Sequence, residues 1–156
     1  MDQHAAHERV LYSMLSSGRR IESRLLAVPI ELNLDPGACP PDQDRLTHLK
    51  SIGFLFDHPA PDQVSLKGIP GTLSPAKAVE LVKSAMAGLS NSIEDLWAMY
   101  SCKAAIKAGL ELADSEALSL IQAWRDCPDR NYCPHGRPVV VKWSVNEIER
   151  LFKRRN

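Results

Sequence analysis

Side chains that could hold a metal ion lie near both ends of this 156-residue sequence. At the start, DQHAAHE places His4 and Glu8 four residues apart, so on a helix both project from one face and can reach a single cation. Asp2 stands just before this helix, where the positive helix end favours a carboxylate that binds metal or orients water. His7 follows His4 by three residues, so the zinc-protease spacing fails. The alternative is a solvated helix start with an ordinary surface pair.

A second group of candidate ligands lies in the CPHGRP segment. Cys133 and His135 are two residues apart on a loop whose backbone is shaped by Pro134 and Gly136. Thiolate and imidazole together favour zinc over magnesium. They cannot fill a four-coordinate shell alone, but they can with the imidazole and carboxylate of the first segment. Arg137 could steady a phosphate or form a structural salt bridge. The alternative for this segment is a loop cysteine beside a capping histidine.

The remaining cysteines give weaker signals. Cys102 lies in SCKAAIKAG, a small-residue helix, and is either a further metal neighbour or a buried core thiol. Cys39 and Cys127 are interpreted as ordinary. No two of the four cysteines form a CxxC pair and their gaps are irregular, which favours a reduced, cytosolic protein over a disulfide framework.

Composition limits the classes of function. Hydrophobic residues make up 44% and charged residues 24% of the chain, as in a soluble globular protein with a packed core. The 19 basic and 19 acidic residues balance, so the chain is not expected to hold DNA by bulk electrostatics, and any nucleic-acid work must be local, weak or recruited by a partner. No stretch approaches the roughly 20 apolar residues of a membrane span, and the charged opening MDQHAAHER is unlike a secretory signal.

The periodicity of apolar residues, together with the positions of glycine, proline and capping residues, predicts the helices and strands that position these residues. The first half is expected to contain a helix over 4–17, a strand over 25–34, a loop at 35–41, a helix over 41–54 ending at Gly53, a strand at 54–56, a turn at 58–63 and a strand over 63–70. The second half is expected to contain a helix over 74–89 with Ser74 as N-cap, a helix from the Ser92–Asp95 capping box to Gly109, a helix over 114–127, a tight loop at 133–138, a short buried strand over 138–143 and a closing helix capped by Ser144.

These elements predict an α+β fold of helices on a small sheet. Residues 24–98 form an αββα-like unit between two helical flanks, and we interpret this unit as an inserted lobe. The flanks, residues 1–23 and 99–156, would then form one discontinuous lobe that carries both groups of candidate ligands.

The order of the segments resembles the C-terminal region of the MutL family of DNA mismatch-repair proteins. The matching pieces are DQHAAHER, SCKAAIKAG, CPHGRP and the terminal IERLFKR, which together frame essentially the whole chain. The resemblance implies a dimerisation and endonuclease lobe interrupted by a regulatory lobe. It also implies catalytic roles for Asp2 and Glu8. The metal ligands it implies are His4, Glu8, Cys102, Cys133 and His135.

The resemblance further implies an activity and partners. The activity is a latent metal-dependent endonuclease that nicks the daughter strand, with Zn²⁺, Mn²⁺ or both as cofactor. ATP would act only through an N-terminal domain absent from this chain. The implied partners are a second copy of the chain, weakly bound double-stranded DNA, the sliding clamp and the mismatch-recognition protein MutS, without a membrane. The implied location is the bacterial cytoplasm, at the nucleoid.

Three departures from the family pattern affect this interpretation. Ser13 stands where the endonuclease motif has a second glutamate. The clamp-binding stretch maps to Arg24, Leu26 and Pro29, with Arg24 in place of a glutamine. The chain begins at the motif itself, as expected of a fragment or an alternative start. The main rival is therefore a non-catalytic dimerisation and partner-binding module with a structural zinc, and a third reading is a zinc hydrolase of small molecules.

Overall fold

A computed structural model describes residues 1–33, 43–60, 63–89 and 92–154, with backbone alone for residues 58–60. The described helices are α1 Gln3–Ser16, α2 Gln43–Ser51, α3 Pro75–Met86, α4 Ile93–Ala104, α5 Asp114–Arg125 and α6 Val145–Leu151, and the strands are β1 Ser23–Asn33, β2 Leu55–Ala60 and β3 Gln63–Pro70. The predicted α+β class is confirmed. The predicted loop at 35–41, with Cys39, lies outside the described residues. The predicted 58–63 turn is wrong at 58–60, which belong to β2 because their backbone pairs with β3, and its residues 61 and 62 lie outside the described residues.

The sheet is antiparallel, and its strand order is β1-β3-β2. β3 occupies the centre because it buries side chains on both faces. β1 is an edge strand whose register with β3 is irregular between Leu25 and Ile30. Pro29 lies in this irregular stretch, where its missing N–H costs no ladder hydrogen bond. The helix–strand junction before β2 depends on Gly53, which has φ +96° and where a Cβ would lie 2.9 Å from the Ile21 carbonyl oxygen.

The larger hydrophobic core lies between the sheet and helices α2, α3 and α4. Its fully buried members come from every one of these elements, so the segment from β1 to α4 folds around shared apolar side chains rather than as separate hairpins. The largest are Leu49, Ile52, Phe54, Leu66, Ile69, Leu73, Leu81, Leu96 and Tyr100.

A smaller core forms where α1 packs on α5 and on the late loop. Ala5 and Ala6 are 1% and 0% exposed, and their small side chains allow close approach of the neighbouring backbone. The other buried members of this core are Val10, Leu120, Cys127, Cys133 and Val139. On its other side α1 contacts α4 through an edge-to-face pair, Tyr12 and Trp97, with ring centroids 6.1 Å apart.

Polar contacts join α4 to the segment before and within α3. The Tyr100 and Thr72 hydroxyls hydrogen-bond to each other, and the Lys77 ammonium donates to the Lys103 carbonyl oxygen at the end of α4. Lys103 in turn forms an ion pair with Glu80 at 2.8 Å. The division into a discontinuous lobe, 1–23 with 99–156, and an inserted lobe, 24–98, stays a prediction.

The predicted course of the fourth helix is wrong at its end. The sequence pattern continues the helix to Gly109, but α4 ends at Ala104, and Ala105 is extended with φ −60° and ψ 151°. The reason is tertiary, because the backbone of Ile106 bonds to side chains of α1 instead of continuing the helical ladder.

The predicted strand over 138–143 is also wrong. Only an isolated bridge between Tyr132 and Pro138 forms there, and although Val139 is buried, Val141 and Trp143 are 58% and 59% exposed. A strand needs a neighbour to accept its backbone hydrogen bonds, and none of the described strands pairs with this run.

The closing helix α6 starts where predicted, because Ser144 and Glu147 form a capping box. It buries none of its residues. Within the described parts of the chain, no helix combines the length and the apolar character needed to cross a membrane.

Candidate metal centre

The Cys-Pro-His loop is a tight turn closed by two backbone hydrogen bonds. Gly136 N donates to the Cys133 carbonyl at 2.9 Å, and Cys133 N donates to the Arg137 carbonyl at 2.9 Å. Gly136 has φ +79°, a conformation that favours glycine. The turn buries Cys133, which is 1% exposed, and leaves the His135 side chain 40% exposed. The loop thus points a thiol inward and holds an imidazole at the rim.

Glu8 of α1 meets this loop. Its Oε2 lies 3.5 Å from Nδ1 of His135. One candidate ligand atom from each of Glu8, Cys133 and His135 falls within 4.8 Å of the others. The two ends of the chain, 125 positions apart at Glu8 and Cys133, therefore come together at one point. The three residues are defined here as the Glu8 cluster.

The Glu8 carboxylate is the most unusual group in the cluster. Its side chain is 1% exposed, and Oε2 accepts no hydrogen bond from the described residues. A buried carboxylate without donors is costly, so such groups are normally paired or bound to a metal. A carboxylate, a thiolate and an imidazole within reach of one point are also the donor types that zinc takes in proteins. The residues present therefore fit a bound zinc ion.

His4 lies against the other oxygen of Glu8. Its Nδ1 is 2.8 Å from the Ile106 carbonyl oxygen, which can only accept, so Nδ1 carries the proton. In the neutral ring the lone pair is then on Nε2, which lies 3.3 Å from Oε1 of Glu8. Two acceptors facing each other require a proton or a cation between them. This geometry suits His4 as a ligand beside the Glu8 cluster.

His7, which the sequence left without a role, contacts the same peptide. Ile106 N donates to His7 Nδ1 at 3.0 Å. Burial, followed by the charge of His4, lowers the pKa of His7 from its ordinary value. Gln3 adds a further contact, donating from Nε2 to the Leu110 carbonyl at 2.5 Å. Sequence spacing could not find these roles, because their partners are backbone atoms about a hundred positions away.

Arg9, the residue after Glu8, binds the late loop to α1. Its Nε donates to the Tyr132 carbonyl at 2.6 Å, one residue before Cys133. Its guanidinium carbon lies 5.5 Å from the centre of the Tyr12 ring. His7 therefore binds the segment that follows α4, and Arg9 binds the segment that precedes the Cys-Pro-His turn.

Cys102 borders Glu8 from α4 but is exposed, so the alternative of a buried core thiol does not describe it. The pKa of its thiol is raised, first by partial desolvation and then by the hydrogen bond and negative charge of Glu8, while Lys103 and Arg137 act in the opposite direction. The pKa of Cys102 thus depends on the charge of Glu8, although Cys102 does not belong to the Glu8 cluster.

Asp2 caps α1. Its Oδ1 accepts from the backbone nitrogens of His4 at 2.8 Å and Ala5 at 3.1 Å, and its own N donates to the Val139 carbonyl. The carboxylate therefore has a structural role beside its predicted catalytic one.

Ser13 lies five residues after Glu8 on α1, beside Cys127. Its side chain hydrogen-bonds to that thiol and opposes the rise in pKa that burial causes. Ser13 and Cys127 share a groove with Met14. The position of the missing motif glutamate is thus occupied by a small polar side chain facing another thiol.

The predicted clamp-binding stretch lies on the edge strand β1. Arg24 donates to the Leu73 carbonyl at 3.3 Å, which ties it to the turn after β3. Leu26 is half-buried against the larger core, and Pro29 is exposed. The stretch is accessible along its outer edge, while Arg24 already has an internal partner.

The fold and the centre define an α+β domain with a zinc-type ligand cluster joining its first helix to a late loop. A family profile described as "MutL C terminal dimerisation domain" matches residues 1–112. Proteins named DNA mismatch repair protein MutL align with 99% of the chain, with 34% identity in Pelotomaculum thermopropionicum, 34% in Caldanaerobacter subterraneus subsp. tengcongensis and 31% in Rhodopseudomonas palustris. The chain belongs to the MutL C-terminal dimerisation domain family. It spans 27% to 28% of the length of these relatives.

Proposed function

We propose that this chain is the metal-dependent endonuclease region of a DNA mismatch-repair protein and that it nicks the daughter strand. The observation that carries the proposal is the buried Glu8 carboxylate, whose Oε2 accepts no hydrogen bond from the described residues and lies with Cys133 and His135 around one point. The membership in the MutL family and the names of the relatives support DNA as the substrate class.

The residues that would hold the metal are Glu8, Cys133 and His135, joined by His4 and, at the rim, by Cys102. Their thiolate and imidazole groups favour zinc, and the carboxylates of Glu8 and Asp2 suit a second, harder ion such as Mn²⁺. A bound divalent ion supplies Lewis-acid stabilisation of charge on the phosphate and lowers the pKa of water.

The side chains of the chain would bind and orient the DNA strand. The exposed Arg137, next to the Cys-Pro-His turn, offers a planar fork for a phosphate. Asp2, whose Oδ1 caps the start of α1, would bind a second ion or orient the attacking water. The net charge of zero gives little affinity for DNA, so recruitment by MutS, the sliding clamp and an ATP-binding domain is part of the proposal, as is a place at the bacterial nucleoid.

The test is zinc content by elemental analysis together with nicking of supercoiled plasmid in Mn²⁺. We expect about one zinc per chain and nicking by wild type, and a loss of nicking of roughly 100-fold in Asp2→Asn and Glu8→Gln, on the scale of removing one preorganised charged group. Asn retains the cap that Asp2 provides, so a folding defect is not expected. Glu22→Gln, at an exposed glutamate, is the matched control. Equal nicking by all four proteins would overturn the catalytic assignment.

The second candidate function is a non-catalytic dimerisation and partner-binding module with a structural zinc. Two observations favour it, namely Ser13 in place of the motif glutamate and the closed burial of Cys133. A structural zinc has no open coordination position. Stoichiometric zinc without nicking would support this alternative, and a chain with neither zinc nor nicking would overturn both.

Self-association is part of either candidate. The C-terminal segment exposes several large apolar side chains in succession, an arrangement that marks an interaction surface. They are Val141, Trp143, Val145, Ile148, Leu151 and Phe152. We define these six as the C-terminal apolar face and assign it to a second copy of the chain.

A further inference from the structure

His4 and His7 of α1 hold the two polar backbone atoms of a single residue. Ile106 donates its N–H to His7 Nδ1 at 3.0 Å and accepts at its carbonyl from His4 Nδ1 at 2.8 Å. Nδ1 is therefore an unprotonated acceptor in His7, whose proton is on Nε2, and a protonated donor in His4. One peptide thus fixes the hydrogen-bonding pattern of both imidazoles.

We propose that His7 is a positioning residue that sets the tautomer of His4 through Ile106. The segment after α4 leaves the helix at Ala105, so the helical ladder no longer holds Ile106 in place. Within the described residues, the contacts that fasten its backbone are those to His7 and His4. If His7 releases the Ile106 nitrogen, the carbonyl oxygen is no longer held against Nδ1 of His4.

The tautomer of His4 determines which group faces Glu8. With the proton held on Nδ1, the Nε2 lone pair of His4 faces Oε1 of Glu8 at 3.3 Å and is available to a cation. With the proton on Nε2, the ring would donate to that carboxylate oxygen and lose its value as a ligand. His7 therefore positions the ligand His4 without binding the metal itself. This consequence for metal binding rests on the proposed function, whereas the tautomer of His4 does not.

The test uses three substitutions that differ in where they place an acceptor. Asn puts its Oδ1 close to the position of the histidine Nδ1 and keeps the bond to Ile106 N, whereas Gln places its amide oxygen one bond further out and Leu has no acceptor. His48→Leu, on α2 in the other part of the fold, is the matched control. The tautomer of His4 is measured in the metal-free chain by long-range proton–nitrogen correlation of the imidazole ring, and zinc affinity is measured separately by competition with a chelator.

We expect Nδ1 of His4 to be protonated in wild type, His7→Asn and His48→Leu, and to lose its proton in favour of Nε2 in His7→Gln and His7→Leu. Zinc affinity should fall by roughly 10- to 100-fold in the Gln and Leu variants alone, the usual cost of losing an outer-shell partner. An unchanged His4 tautomer in folded His7→Gln overturns the proposal. If His7→Leu does not fold, the comparison of Gln with Asn decides. Failure of wild type to bind zinc counts against the proposed function only, because the tautomer is read without metal.

Discussion

Glu8 has a carboxylate whose two oxygens face different histidines, Oε1 towards His4 at 3.3 Å and Oε2 towards His135 at 3.5 Å. Neither separation is a good hydrogen bond, and the side chain is 1% exposed. Oε2 accepts no hydrogen bond from the described residues, and leaving a buried polar atom without a donor costs about 1–3 kcal/mol, and more when it is charged. The buried Glu8 carboxylate therefore lowers the stability of the fold, and a cation bound beside it would offset that loss.

Cys102 offers a direct measure of the charge on Glu8. Because the hydrogen bond and negative charge of Glu8 raise the Cys102 pKa, Glu8→Gln should lower that pKa and increase the thiolate fraction at pH 7.5. A one-unit fall would speed alkylation by roughly threefold, since the gain in thiolate is partly offset by weaker nucleophilicity. The rate at Cys102 is measured by mass spectrometry of iodoacetamide-treated, metal-free chain.

Arg137 provides a control of opposite sign for this prediction. Its positive charge lowers the Cys102 pKa, so Arg137→Gln should slow the alkylation that Glu8→Gln accelerates. Equal rates in wild type and both variants would show that neither charge reaches the thiol.

Helix α4 carries one residue that faces the larger core and another that borders Glu8. Tyr100 is fully buried in the larger core and pairs with Thr72, while Cys102, two residues on, borders Glu8. Residues two apart on a helix point in widely different directions, which is how one short helix serves both the core and the centre.

Tyr100 should make the fold sensitive to alkaline pH. Burial raises its pKa above the ordinary value of 10, so below about pH 10 the phenol is protonated in both folded and unfolded chains. As pH rises through the unfolded value, only the unfolded chain ionises, and stability falls by up to about 1.4 kcal/mol per pH unit until the folded pKa is passed. Urea unfolding between pH 8 and pH 11 should show this fall.

The variant that isolates this effect is Tyr100→Phe. It loses the bond to Thr72, about 1 kcal/mol at every pH, but its unfolding free energy should decline less steeply above pH 10. Tyr132→Phe, at a tyrosine that is 57% exposed, should retain the wild-type slope. A parallel decline in all three proteins would mean that other groups cause the alkaline loss.

At the scale of the whole molecule, the features that depend on local interactions were predicted from the sequence more accurately than those that depend on contacts across the fold. The start of α3 at Ser74 and Pro75, and the extent of β3, follow from local caps and turns and are confirmed. The joining of Glu8 to Cys133 and His135 was predicted from residue types and is present in the geometry. The end of α4 and the role of His7 were missed, because both depend on a backbone contact across the fold. The run at 138–143 has the composition of a strand but no pairing partner among the described strands.

The C-terminal apolar face should be where two copies of the chain meet. Val145 and Ile148 of α6 and its C-cap residue Phe152 lie on one side by their three- and four-residue spacing, at 71%, 43% and 71% exposure. Ile148→Glu should weaken self-association at least tenfold, because a charge would be buried in an apolar contact. Arg150→Gln, on the opposite side of the same helix, should leave it unchanged.

Sedimentation equilibrium between about 1 and 100 µM covers the range in which a dimer with an interface of standard size is expected to form. A dimer in wild type and Arg150→Gln, with monomer in Ile148→Glu at the same concentrations, is the expected result. Circular dichroism should show that the glutamate variant remains folded, since α6 buries none of its residues. A wild-type chain that stays monomeric throughout this range would contradict the assignment, and a dimer insensitive to Ile148→Glu would place the interface elsewhere on the molecule.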